Sequence, residues 1–169
     1  RDPIQRAKQI CTLDTLSGGR FLFGIGAGWN AEEMQDHGTK FSERFEVMRE
    51  RVEAIKLICS SSKPEYHGKH VNFDQFMAWP KTVQKPHPPI HVGGVFPHGA
   101  RRAAEYGNGW MPISGRGGNE LEAVPKFRQM LAERDRDPGT VEISVFGVAP
   151  DAEKLKPYRD AGITRVIFM

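Results

Sequence analysis

The sequence predicts an α/β protein built on parallel strands. Five short apolar segments alternate with amphipathic helical segments along the chain, the order that produces strand–crossover–strand units. The apolar segments are nearly continuous, as in "RFLFGIG"; strands covered on both faces read that way, and parallel sheets are covered on both faces. The 169 residues are 38% hydrophobic and 27% charged, an ordinary globular composition of single-domain length.

The elements follow in order. Asp2-Pro3 opens a helix, with Asp as N-cap and Pro in the first turn. Ile4, Ala7, Cys11 and Thr15 continue it at helical spacing, and Ser17-Gly18-Gly19 stops it. "RFLFGIG" is the first strand. "AEEMQDHG" is compatible with a helix, and a longer one follows with Ser42 as N-cap and Phe45, Met48, Val52, Ile55 and Cys59 on its apolar face. Residues 60–89 break the rhythm. They alternate polar and apolar side chains around His67-Gly68-Lys69 and end in prolines, which predicts an inserted extended segment with a hairpin. Strand and helix then alternate: "PIHVGG", "PHGARRAAEYG", "GWMPI", "NELEAVPKFRQMLAERD", "VEISVFGV", "DAEKLKPYRDAG" and "ITRVIFM". Pro125 and Pro157 fall within about two turns of their helix starts, where a proline is tolerated. A doubly wound sheet and a (β/α)8 barrel both fit this order. Five units are too few for a complete barrel of roughly 250 residues, and the chain starts on a helix and stops on a strand.

Several functions are disfavoured. No apolar run approaches the roughly 20 residues of a membrane span, and "RDPIQRAKQ" is unlike a leader. The net charge of +3 is spread among acids, which argues against nucleic acid as a partner. Cys11 and Cys59 read as buried free thiols of a cytoplasmic protein. His87 and His91 are four apart, but Pro88 and Pro89 forbid the helix that would join them on one metal. His67 and His70 flank a turn glycine, and with no carboxylate or cysteine at ligand spacing no metal site is expected. No nucleophile–base–acid constellation is readable in the residue order.

Three strand exits are rich in glycine. Gly24, Gly26 and Gly28 alternate and share one face. Either a flat ring lies against that strand end, or the glycines allow a tightly packed layer. A dinucleotide fingerprint does not fit, because Trp29 breaks the spacing. In "IHVGGVFPHGA", Gly93-Gly94 precede a helix start where unpaired N–H groups favour an anion, and His98 adds a donor. An ordinary strand-to-helix turn is the other reading. "ISGRGGNE", residues 113–120, is a mobile active-site loop or a plain surface loop.

"LDTLSGGRFLFGIGAGWNAEEMQDHG", "PKTVQKPHPPIHVGG" and "ARRAAEYGNGW" together resemble the bacterial luciferase-like monooxygenase superfamily, and more narrowly its coenzyme F420-dependent oxidoreductase branch. The resemblance covers essentially the whole chain. It implies a (β/α)8 barrel of which residues 1–169 form about strands four to eight, with 60–89 as an insertion and the N-terminal third lacking. It implies a cofactor held at Gly26, Ala27, Gly28 and Trp29 and at Gly93, Gly94, Val95, His98 and Trp110, with its phosphate at the Gly93–His98 turn. The expected function is F420-dependent hydride transfer to or from a small organic substrate. The alternatives are an FMN-dependent monooxygenase supplied with FMNH2 by a flavin reductase, and a non-catalytic truncated barrel. A sugar-phosphate dehydrogenase is disfavoured, since that branch carries a catalytic glutamate where Trp29 stands. No catalytic acid or base is assigned. Open sheet edges predict a homo-oligomer.

Overall fold

The computed structural model describes residues 2–169, and these divide into two compact units. One runs through Phe23 and resumes over Ala27–Pro88; the other comprises Gly24–Gly26 and Pro89–Met169. The boundary falls at strand β1, Phe23–Ile25. Among the described residues no helix is long and apolar enough to cross a membrane.

The first unit is built on two helices, α1 (Pro3–Leu16) and α3 (Arg44–Ser60). The Asp2 carboxylate caps α1, accepting from the Gln5 amide at 2.8 Å, so the sequence start signal operates as expected. Ala7, Ile10 and Cys11 pack against Ile55, Ile58 and Cys59. The expected fourth member of the α1 stripe is corrected: Thr15 is exposed, and Asp14 is the buried residue. Asp14 tolerates burial because its two carboxylate oxygens accept from the backbone and side-chain amides of Gln84, at 2.9 and 2.7 Å.

Ser42 is not the cap of α3. It lies in a 3-10 turn, Phe41–Glu43, and no side chain caps the longer helix. Phe45 leaves the apolar face and holds its ring against the Arg44 guanidinium instead, 4.3 Å away. A short helix, α2 (Ala31–Asp36), is capped by Asn30. The expected hairpin is present: β2 (Tyr66–His67) pairs antiparallel with β3 (Asn72–Phe73). Its turn is fastened by the buried Glu50, whose carboxylate accepts from the amides of Lys69, His70 and Val71 at 3.1, 2.7 and 2.9 Å.

The second unit holds β4 (Ile90–Gly93), α4 (His98–Tyr106), β5 (Gly109–Met111), α5 (Glu120–Ala132), β6 (Glu142–Val148), α6 (Ala152–Asp160) and β7 (Arg165–Phe168). The sheet order is β1-β4-β5-β6-β7, and the pairs β4–β5, β5–β6 and β6–β7 are parallel. A doubly wound sheet reverses its strand order at a switch point. Here, once the hairpin is set aside, each strand joins its predecessor in sequence. That succession is how barrel staves are laid.

Alternation gives the sheet two chemical faces. Val92, Trp110, Ile143 and Val145 join Ala100, Ala103 and Ala104 of α4 and Val124, Phe127 and Leu131 of α5 in one core. Trp110 and Phe127 meet at 5.1 Å between ring centroids. The other face carries His91, Gly93, Gly109, Glu142, Ser144 and Arg165. Gly109 has no side chain because the His91 ring fills that space; a Cβ there would lie 2.6 Å from the imidazole. Arg165 donates to the Ser144 hydroxyl at 2.8 Å and reaches Glu142 at 3.1 Å. The Ser144 hydroxyl also lies 3.3 Å from His91 Nδ1, and the other ring nitrogen is Nε2. That nitrogen lies 3.3 Å from Glu142, out of line for a hydrogen bond. Burial pushes His91 below the usual histidine range, against the opposing pull of Glu142.

Candidate cofactor site

The expected site residues fall in both units and are taken separately. In the second unit, β4 ends at Gly93 and α4 begins at His98. Gly93 passes so close to β1 that a Cβ would sit 3.0 Å from the Ile25 carbonyl oxygen. Gly94 has φ +134, a conformation side chains rarely adopt, and a Cβ there would press on the Cα of Gly99 at 3.2 Å. The turn is pinned from three directions. The Gly94 amide donates to the Met111 carbonyl at 3.3 Å, and the Gly99 amide to the Val95 carbonyl at 2.7 Å. The Trp110 indole N–H donates to the Gly94 carbonyl at 2.8 Å.

Gly93, Gly94, Val95 and His98 thus lie together at the start of a nine-residue helix that no side chain caps. Its leading N–H groups and dipole favour an anion. His98 is exposed in the first turn. The Arg102 guanidinium adds positive charge, one nitrogen lying 3.2 Å from where a Gly94 Cβ would stand.

Trp110 is corrected. Its side chain is fully buried between Phe96 and Phe127. It holds the turn from behind and offers no surface to a ligand. Truncating it would cost about 3–5 kcal/mol of stability. Lost binding in such a variant would report unfolding rather than a missing contact.

Two residues that the sequence reading passed over matter here. Gly99 is required because any Cβ would overlap the Gly94 carbonyl. Glu120, the first residue of α5, is buried and anchors the loop after β5. It accepts from the Ser114 hydroxyl at 2.8 Å, the Tyr158 hydroxyl at 2.6 Å and the Gly115 amide at 3.4 Å. Burial pushes its carboxyl up, but those hydrogen bonds outweigh it and the net shift is downward. The same loop packs on the Gly93–His98 turn: a Cβ on Gly117 would lie 2.5 Å from the Val95 side chain. A glutamate opening a helix is an ordinary capping signal, so only its burial distinguishes Glu120.

At the exit of β1, a Cβ on Gly26 would meet nothing, and one on Gly24 only the Met111 methyl at 3.5 Å. Packing among the described residues does not demand glycine at either position. In the first unit, Gly28 has φ +86 and closes toward the Met34 sulfur, while Trp29 is 86% exposed. Ala27 lies between them, half-buried.

Glu46, Glu50 and His70 offer ligand atoms within 4.8 Å of one another. The Glu50 carboxylate takes three amides, and Glu46 Oε2 takes His70 Nε2 and Lys69 Nζ at 3.0 and 2.9 Å. Those two partners hold the Glu46 carboxyl near 2. The cluster fastens the hairpin.

The family model of luciferase-like monooxygenases matches residues 1–161. An uncharacterized protein of Mycobacterium tuberculosis is 36% identical over 168 residues, 99% of this chain and 58% of that protein. An FMNH2-dependent dimethylsulfone monooxygenase of Pseudomonas putida is 27% identical over 155 residues, 90% of this chain and 42% of the enzyme. The chain therefore spans about half the length of the curated relatives it matches. Among solved structures, a monooxygenase of Streptomyces bottropensis superimposes with a TM-score of 0.76 at 24% identity, covering 96% of this chain and 50% of that one. The coenzyme F420-dependent tetrahydromethanopterin reductase of Methanopyrus kandleri gives 0.70 at 24%, covering 91% and 49%. The fold is that of part of a luciferase-like barrel.

Proposed function

Because the chain belongs to the luciferase-like monooxygenase family, we propose that the Gly93–His98 turn holds the phosphate of a flavin-type cofactor, coenzyme F420 before FMN. The protein is then a cytoplasmic oxidoreductase acting on a small organic molecule. Residues 1–169 supply one barrel segment with 60–89 inserted. The observation that carries this reading is Gly94: a backbone at φ +134 with no side chain, beside the uncapped start of α4 and the Arg102 charge. That is the cradle an anion requires.

A bound F420 would supply hydride transfer, and a bound reduced FMN would supply oxygen chemistry. The chain's own part is positioning. Gly93 and Gly94 present backbone without bulk, Val95 continues the turn with its side chain against Gly117, His98 contributes a donor at the rim, and Gly99 and Trp110 keep the turn in shape. Gly26, Ala27, Gly28 and Trp29 are assigned to cofactor binding as well, in keeping with the open space beside Gly26. The FMN alternative is favoured by the Pseudomonas putida relative, whose name gives FMNH2 as its cofactor; it would add a flavin reductase as partner.

Both cofactors are titrated into the intact polypeptide and followed by fluorescence. Gly94→Glu adds bulk and like charge and should weaken binding by at least roughly a hundredfold, at tenfold per 1.4 kcal/mol. Position 94 is strained for any side chain, so circular dichroism must show a folded variant. His98→Glu, at an exposed position, gives a second reading and should cost about tenfold. Should either variant fold and bind both cofactors as tightly as wild type, the phosphate assignment fails.

A further inference from the structure

The first unit buries two cysteines face to face. Cys11 on α1 and Cys59 on α3 are 2% and 1% exposed, 48 residues apart in sequence, with their sulfurs 3.8 Å apart. Ala7, Ile10, Ile55 and Ile58 surround them. Lys81 reaches the same place, its ammonium donating to the carbonyls of Ile58 and Ser61. The two thiols are not equivalent. Hydrogen bonding from Cys59 draws the Cys11 thiol down to about 7 against the effect of burial, with help from the Lys81 charge. The contact with Cys11 and burial push the Cys59 thiol up. Asp14 opposes thiolate formation at both. With the sulfurs 3.8 Å apart, a thiolate formed on one has the other within reach as its partner.

We propose that Cys11 and Cys59 form a reversible disulfide that ties α1 to α3, with hydrogen peroxide as the two-electron oxidant. The Cys11 thiolate attacks one peroxide oxygen, the O–O bond breaks, and the departing hydroxide takes up a proton and leaves as water. Cys11 is then a sulfenic acid. The Cys59 sulfur displaces that hydroxyl, its proton leaving with it as a second water, and the S–S bond forms. Two thiols are oxidised and one peroxide is reduced to two waters. Closing the bond draws the sulfurs from 3.8 Å to about 2.05 Å, a displacement that both side chains share. Burial sets the pace, since peroxide reaches the pair only when α1 opens from α3, so the reaction is slower than at a surface thiol.

The test uses the intact polypeptide with hydrogen peroxide at mildly alkaline pH, sampled over hours, then unfolded, alkylated with a maleimide and digested. The expected product is a linked pair of peptides containing Cys11 and Cys59, lighter by two hydrogens than the reduced pair and lost on treatment with dithiothreitol. The oxidised protein should unfold at a higher temperature than the reduced one. In Cys59→Ala the link is absent and Cys11 is trapped as sulfenic acid by dimedone. If that variant does not fold, the wild-type peptide map decides alone. The proposal is overturned if both cysteines stay alkylatable under peroxide that fully oxidises glutathione, or if Cys11 passes to the sulfinic acid without a linked peptide.

Discussion

At position 91 an imidazole sits beneath Ser144 and Arg165 with burial holding it neutral. Its folded pKa lies below the unfolded value of roughly 6.5. As pH falls through that value, the unfolded chain takes up a proton that the folded chain refuses, so stability declines until the pH passes the folded pKa. His91→Asn should flatten this part of the stability profile. Urea unfolding across mildly acidic pH measures it, and an unchanged slope would assign the acid sensitivity to another group. Glu120 titrates in the opposite sense. Its carboxylate accepts from Ser114 and Tyr158, and Glu120→Ala strands both hydroxyls. A loss of about 1–3 kcal/mol is expected in denaturant titration, accompanied by weaker cofactor binding, because the loop it holds packs on Val95.

Among the elements, the hairpin depends on one carboxylate. Glu50 satisfies three turn amides that have no other partner in that loop, and Gly68 presses against it: a Cβ there would lie 2.5 Å from an Oε atom. Glu50→Ala should loosen the turn, with about 1–3 kcal/mol lost and tryptic cleavage after Lys69 becoming fast. Resistance to trypsin equal to wild type would mean that the Tyr66–Phe73 and His67–Asn72 pairings hold the turn unaided. The hairpin's position was legible, because His67-Gly68-Lys69 interrupts an alternating stretch. Its anchor was not. Glu50 occupies the buried side of α3, and a charged residue there becomes intelligible only when the loop that needs it is seen.

For the whole molecule, strand order is the decisive property. β1 and β7 are the two ends of the described sheet, and an unpaired strand edge is a template for another chain. The 169 residues, expressed alone, should sediment at a mass above 19.0 kDa at micromolar concentration. A monomer there would show that the edges are protected within the chain. Phe168 and Met169, 50% and 88% exposed at the β7 edge, are the apolar surface such a contact would cover.

The sequence by itself determined what single residues and short periods encode. Asp2 capped its helix, the apolar runs became strands, and Gly93-Gly94 marked a turn, because caps and missing Cβ atoms act through nearest neighbours. It left the barrel and the doubly wound sheet both open, since a strand's apolar pattern does not name the strand beside it. Only the tertiary structure decided between them, by laying each strand against its predecessor. It also decided which way Trp110 faces. A strand of three residues is too short to fix its own phase, so core and ligand surface were indistinguishable there until Phe127 and the Gly94 carbonyl were in place. The Cys11–Cys59 contact belongs to the same class: helical spacing put each thiol on a buried stripe, and the packing of α1 on α3 brought the two together.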